Sequence, residues 1–358
     1  MKRDYSKFLL PTKSGSSPKR IPTKLDSLGW QPFFSQQTNT DELAEKPAVR
    51  VTEVHKNGLH VVGQTEDLFI HPIADVTVGD WLLLDQNRTD LSRVLERKTV
   101  IKRRAPGKDR RVQLIASNID TAFIVSSCNQ DFNIARLERY VAVAFDAGVN
   151  PVIVLTKTDI CEAPDGYVET AQSVSDLVPV VMLDARGDEP REKLLAWCDT
   201  GQTVAFLGSS GVGKSTLTNA LAGHHAIRTR SIRDDDAKGR HTTTSRQLYL
   251  IDGGCAVLDT PGMRELQLTD ASAGVADLFG DLQSLSEQCR FNDCQHETEP
   301  GCAVLAAVES GDVDTGRLAR WRKLLAEERF NTSSLAERKI KDKALGKTIR
   351  QIMKLKKK

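Results

Sequence analysis

From Ala48 onward the chain runs through short stretches in which apolar and polar residues alternate: VRVTEV, LHVVGQ, DLFIHP, DWLLLD and SRVLERKTVI. Alternation with period two wets one face of a strand and buries the other. Asn57-Gly58, between the first two runs, is a two-residue hairpin signal. Successive short strands over residues 47–104 predict a small OB-type β-barrel, a fold whose open face commonly binds oligonucleotides. A barrel used only as a spacer is the alternative. From Val112 the texture changes. TAFIVSS reads as a strand, residues 133–148 as an amphipathic helix, PVIVLTKTD and VPVVMLDA as strands, and EPREKLLAWC as a helix. Strands alternating with helices predict a parallel, doubly wound α/β sheet over residues 112–266, with RQLYLI and GCAVLD as further strands. Residues 267–330 read as a helical domain, with a helix over 318–330.

The two ends differ from this pattern. Residues 1–46 are rich in Ser, Thr, Lys and Gln with little periodicity and read as a mobile basic extension. Residues 331–358 read as a basic tail. From Ala336 on there are ten Lys or Arg against Glu337 and Asp342, a surplus of +8 that leaves −6 on residues 1–335 of a net +2. With the stretches from Lys2 to Lys24 and from Arg93 to Arg111, three basic blocks favour a polyanion such as RNA over solvated surface. At 358 residues, 39% hydrophobic and 27% charged, the composition is that of a soluble multidomain protein. Phe8, Leu9 and Leu10 are too short an apolar run for a signal peptide, and no stretch approaches a membrane span. Seven cysteines without an export signal fit a reducing cytoplasm, so clustered cysteines read as metal ligands before disulfides.

The chemistry centres on TVAFLGSSGVGKSTLTNALAG, residues 203–223. An apolar strand runs into Gly208, Ser209, Ser210, Gly211, Val212, Gly213, Lys214, Ser215 and Thr216, and Leu217 and Leu221 then recur at helical spacing. Glycines let successive backbone N–H groups turn inward around phosphate oxygens. The helix N-terminus adds partial positive charge, Lys214 reaches the β- and γ-phosphates, and Ser215 ligates Mg²⁺. A chance glycine loop is the alternative, and the strand and helix flanks argue against it. At the end of an earlier strand stand Thr156, Lys157, Thr158 and Asp159. A carboxylate there accepts both N1–H and the exocyclic N–H of guanine, with Lys157 packing along the base. Past the phosphate loop come KGRHTTTS and DTPG. Asp259 is placed to hold Mg²⁺ through water and the Gly262 N–H to meet a γ-phosphate. Thr243 is the expected switch threonine on the metal, with Thr242 and Thr244 not excluded by spacing. Met263 stands where a glutamine would orient the attacking water, which leaves His241 as the candidate to order it. A surface histidine is the alternative.

Cys289, Cys294, His296 and Cys302 supply three thiolates and an imidazole, a donor set for a closed structural Zn²⁺ site. A metal-free group of core thiols is the alternative. Cys128, Cys161, Cys198 and Cys255 read as small core hydrophobes.

A Ras-like GTPase places its guanine motif after the phosphate loop, whereas here TKTD precedes it. This permuted order, with a barrel before it and a cysteine cluster after it, resembles the RsgA (YjeQ) family of circularly permuted GTPases over residues 48–330. QLIASNIDTAFIV, GSSGVGKS, GRHTTTS, DTPGMRE and CRFNDCQHETEPGCAV carry the likeness. Thr156 replaces the family's usual Asn, which is expected to weaken one hydrogen bond to the base or loop. Asp184-Ala185 is a loose match to the Ser-Ala loop that supports guanine in many GTPases. The resemblance implies a GTP hydrolase of late small-subunit assembly that binds the 30S ribosomal subunit, its 16S rRNA and other assembly factors, and that hydrolyses GTP slowly until the subunit stimulates it; with no coiled-coil repeat to argue for a dimer, a cytoplasmic monomer is expected. A non-catalytic rRNA-binding checkpoint that senses GTP against GDP is the second reading, and an unrelated P-loop ATPase or kinase the third.

Overall fold

The structure, a computed structural model, describes residues 22–104, 112–222, 246–251, 254–259 and 271–332. The alternating runs form β1 (Ala48–His55), β2 (Gly58–Gly63) and β3 (Asp67–Ile70), an antiparallel meander, with β4 (Trp81–Leu83) on the first half of β1. Val49, Val51, Val61 and Leu82 enter one apolar cluster, while Ala48, Val62, Trp81 and Leu83 enter another, as a period of two requires.

The second cluster explains a departure from the expected mobile extension. Residues 22–46 form α1 (Lys24–Ser27), α2 (Pro32–Ser35) and α3 (Thr40–Glu45). Leu28 and Phe34 are buried against Trp81, and Trp30 meets the Trp81 ring edge-on at 4.9 Å. Each helix is too short to show a period in sequence, and tertiary burial together with caps from Thr23 and Asn39 stabilises them. The last barrel run also differs from expectation. It splits into β5 (Arg93–Val94), which pairs with β4, and β6 (Val100–Arg104), which leaves to form a separate hairpin sheet with β7 (Val112–Ser117). At the break, Arg97 bonds Asp80 at 2.7 Å and Lys98 bonds Asp120 at 2.9 Å, replacing ladder pairing with ion pairs.

The α/β core contains β8 (Thr121–Ser127), α4 (Ile134–Asp146), β9 (Asn150–Thr156), α5 (Pro164–Gln172), β10 (Val180–Met182), α6 (Glu189–Leu194), β11 (Thr203–Leu207), α7 (Lys214–Ala222), β12 (Arg246–Leu250) and β13 (Ala256–Asp259). Strand order is β10-β9-β8-β11-β13-β12, parallel except that β12 runs antiparallel to β13. All seven residues of β8 and five of β11 are buried, as expected of strands packed on both faces.

Sheet and barrel are one structure. β12 pairs antiparallel with the second half of β1, Glu53 opposite Gln247 and Val54 opposite Arg246. An irregularity between Val51 and Glu53 divides β1 into a half that serves β4 and a half that serves β12. Beside it, the buried Arg50 side chain donates to the carbonyls of Leu28, Gly79 (3.3 Å) and Asn118 (3.1 Å) and to Thr203 Oγ1 (2.9 Å). It thereby joins the N-terminal helices, the barrel and β11. Burial pushes its guanidinium down to about 10, against the pull of Asp120 and Asp80.

Residues Met1–Leu266 form one compact unit and Gln267–Lys358 a second. In the second, α8 (Ser272–Leu278), α9 (Gly280–Ser286), α10 (Ala303–Glu309) and α11 (Thr315–Thr332) pack through Leu318, Trp321 and Leu324. Arg317 crosses from α11 to lie over the Phe279 ring at 4.9 Å and pair with Asp281 at 3.0 Å.

Candidate nucleotide site and metal centre

In a parallel sheet the carboxyl ends of the strands lie together, so loops far apart in sequence meet there. β11 ends in the glycine loop, β9 in residues 156–159, and β10 leads to residues 184–186. The glycines are obligatory. A Cβ on Gly208 would stand 2.3 Å from the Val125 carbonyl, and Gly213 has φ 99°. Lys214, the first residue of α7, folds back so that its ammonium donates to the carbonyls of Gly208 (2.8 Å) and Ser209. Arg136 on α4 reaches the same loop at Ser209 Oγ while pairing with Asp131 at 3.2 Å. Nothing in the sequence marks Arg136, because its helix belongs to a different crossover.

Thr156 is fully buried, and its hydroxyl donates to the Val212 carbonyl at 2.7 Å with the Ser126 carbonyl at 3.3 Å. The last residue of β9 is thus tied to the glycine loop. Lys157 takes a left-handed conformation, φ 59°, a cost that folds accept mainly at functional turns. Thr158 and Asp159 follow in a 3₁₀ turn. Thr156, Lys157, Asp159, Ala185, Arg186 and Gly213 border a cavity of about 250 Å³, a pocket walled by the three loops. The Asp159 carboxylate accepts from Arg186. A larger cavity, about 540 Å³, opens at the amino ends of β8, β9 and β11 beside Trp30, Lys98 and Trp197, away from every one of these loops.

Asp259 closes β13, its side chain outside the described residues, and His241, Thr243 and Gly262 also lie outside them. β12, which follows the segment holding His241 and Thr243, is the strand that pairs with the barrel. Gln247 on β12 donates to Glu53, and His55 lies 2.7 Å from the same carboxylate. Burial opposes ionisation of Glu53, but these two bonds outweigh it and hold the carboxyl below its ordinary range.

In the second unit, ligand atoms of Cys289, Cys294, His296 and Cys302 all lie within 4.8 Å of one another. Cys289 Sγ stands 3.8 Å from Cys302 Sγ and 3.6 Å from His296 Nδ1, and His296 Nδ1 stands 3.3 Å from Cys302 Sγ. A tetrahedron with Zn–S bonds of about 2.3 Å has edges near these lengths, so the residues fit zinc. Burial lowers the His296 pKa, which favours the neutral imidazole that ligation needs. For Cys289, burial works against ionisation, yet the N–H groups of Val304 and Ala303 prevail and hold the thiol below its usual range. The His296 ring stacks on Trp321 of α11 at 5.3 Å. Cys128, Cys198 and Cys255 are buried and Cys161 is half-buried; burial pushes the Cys128 thiol up to about 11, the behaviour of a core group.

A parallel sheet with a glycine loop, a β9 turn that precedes it in the chain, and an antiparallel β12–β13 pair define a P-loop GTPase with circularly permuted motif order. A family model described as RsgA GTPase matches residues 94–269. The chain is 45% identical over 332 residues to "Small ribosomal subunit biogenesis GTPase RsgA 2" of Vibrio parahaemolyticus, covering 92% of each chain. It is 48% identical over 333 residues to "Small ribosomal subunit biogenesis GTPase RsgA" of Mesorhizobium japonicum, covering 90% of this chain and 94% of that one. The chain belongs to the RsgA GTPase family and is a GTP hydrolase. Among solved structures it is similar to YjeQ from Thermotoga maritima, with TM-score 0.55 and 25% identity over 78% of this chain and 97% of that one. YloQ, a circularly permuted GTPase, shares the fold with TM-score 0.56 and 21% identity, covering 83% of this chain and 100% of that one.

Proposed function

We propose that this GTPase binds the small ribosomal subunit through its 16S rRNA and assists late maturation of that subunit in the cytoplasm, acting as a monomer alongside other assembly factors. The observation that carries the reading is similarity along nine-tenths of the chain to proteins named for small-subunit biogenesis. The basic blocks at residues 2–24, 93–111 and 336–358 supply charge for phosphate contacts. The working parts are a barrel at 47–104, a GTPase domain at 112–266 and a zinc domain at 267–330, with basic extensions at the chain ends.

Within the GTPase domain, the N–H groups of residues 208–216 cradle the phosphates and Lys214 neutralises them. Ser215 and Thr243 would hold Mg²⁺, with Asp259 behind a water. Bound there, the ion offsets negative charge on the phosphates. Gly262 offers its N–H to the γ-phosphate, and His241 orders the attacking water. Asp159 reads guanine, Lys157 and Thr158 shape the base pocket, and Thr156 fixes the glycine loop. Cys289, Cys294, His296 and Cys302 hold one zinc that stabilises their domain. Pairing of β1 with β12 supports a link between barrel docking and the segment that carries His241 and Thr243.

The test is GTP turnover with and without purified small subunits, across a salt series and for His241→Ala. The expected result is slow turnover by itself, stimulation by subunits that falls steeply with salt, and loss of stimulation in His241→Ala. Turnover that ignores added subunits overturns the ribosomal reading. Full stimulation of His241→Ala removes only that residue. Equal competition by ATP and GTP would sink the role given to Asp159.

A further inference from the structure

The loop after β10 carries Arg186 to the mouth of the 250 Å³ pocket. Its Nη2 donates to Asp159 Oδ2, its Nε lies 3.4 Å from Asp184 Oδ1, and its backbone N–H donates to that same Asp184 oxygen at 3.0 Å. The carboxylate proposed to read the base is therefore engaged by a guanidinium. To a carboxylate, a guanidinium and the Watson–Crick edge of guanine look alike: each presents N–H donors side by side on a rigid plane.

We propose that Arg186 is an internal competitor for the guanine site, its Nη2 N–H occupying an Asp159 oxygen that guanine's N–H donors would otherwise use, until a guanine nucleotide displaces it. The inference rests on Asp159 as the base reader and adds the group that guards it. The Arg186 side chain is 68% exposed and Asp159 25% exposed, so the guanidinium has a direct route to solvent. Adenine offers no donor pair in the arrangement the carboxylate requires. Displacing Arg186 with adenine leaves Asp159 unpaired, whereas guanine restores what it removes. Arg186 thus slows entry and lowers apparent affinity for any base that must displace it, while the choice of guanine over adenine rests on Asp159 itself.

A competitor that occupies the site most of the time lowers apparent affinity by the fraction of protein in which it has moved aside. For an ion pair this exposed, that fraction corresponds to a factor of about two to five.

The experiment measures association and dissociation of fluorescent GDP with the full-length protein, for the unmodified chain, Arg186→Ala and Arg186→Gln, at low and high salt. At low salt both variants are expected to bind GDP about two- to five-fold faster with little change in dissociation. The gap should close at high salt, where the ion pair is screened in the unmodified protein. Unchanged or slower association, or an effect confined to dissociation, overturns the proposal, because a group that merely clamps the bound base acts on release. A second arm separates this from failure of the base reading. Asp159→Asn should shift preference from GDP toward XDP, and in that background Arg186→Ala should no longer speed XDP entry. If Asp159→Asn leaves the GDP-to-XDP preference unchanged, the base reading has failed. If the preference shifts but Arg186→Ala has no effect in the unmodified background, only the competitor has failed.

Discussion

Replacing Thr156 by Val tests the tie between the β9 turn and the glycine loop. Valine matches threonine in shape, so packing at this fully buried position is kept and the hydroxyl alone is lost. That hydroxyl donates to the carbonyl of Val212, itself a buried residue, at 2.7 Å, with the Ser126 carbonyl at 3.3 Å. Removing the donor from a buried acceptor costs about 1–3 kcal/mol, or roughly 5- to 150-fold in an equilibrium constant. Nucleotide binding demands the loop in its present conformation. A loop released from Thr156 has to be re-ordered on binding, so the loss is expected mainly as weaker GDP affinity, and what does not appear there should appear as a lower unfolding midpoint. The assay pairs a fluorescent GDP titration with urea unfolding of the nucleotide-free protein. Thr156→Ser, which keeps the hydroxyl, should stay close to the unmodified protein in both. A Val variant that matches the unmodified protein in affinity and in midpoint refutes the reasoning, and the hydroxyl would then be incidental to the loop.

Arg50→Met removes the cation that joins the carbonyls of Leu28, Gly79 and Asn118 to Thr203. It is expected to destabilise the first unit by at least about 1–3 kcal/mol, the cost of leaving a buried acceptor without its donor, read by chemical denaturation; a loss within error of zero would show that the hub contributes nothing net. Protein purified without chelator should carry one zinc per chain by elemental analysis, and Cys294→Ser should lose it while GDP binding persists. Zinc-free protein, or a Cys294→Ser variant that retains the metal, would reject the site. Glu299 accepts backbone N–H bonds from Gln295, Glu297 and Thr298, which bring its pKa down from 4.5 to about 2. Because the folded pKa is depressed, its support of the loop is complete above pH 4.5 and lost as pH falls toward 2. An NMR titration of this carboxyl with a midpoint at the ordinary glutamate value would contradict the N–H cage.

The phosphate loop, the β9 turn and the Cys/His cluster were legible in the chain as candidate sites because each depends on residues within one short segment. Gly208 and Gly213 are required by local backbone geometry, and Cys289 to Cys302 span a single loop. Motif order along the chain was enough to reveal the permutation, and runs such as TAFIVSS and PVIVLT were enough to place the parallel strands. The N-terminal helices were not legible, since four to six residues cannot display a 3.6-residue period and it is burial of Leu28 and Phe34 against Trp81, added to local caps, that holds them. Nor was the split of the last barrel run into β5 and β6, which depends on Arg97 and Lys98 finding Asp80 and Asp120. Tertiary structure alone decided which distant side chains meet: Glu53 with Gln247, Arg136 with Ser209, Arg186 with Asp159 and Thr156 with Val212. The physical reason is that glycine conformations and metal-ligand spacing are constraints of neighbouring residues, whereas strand register and crossover geometry couple residues whose separation along the chain leaves no periodic trace.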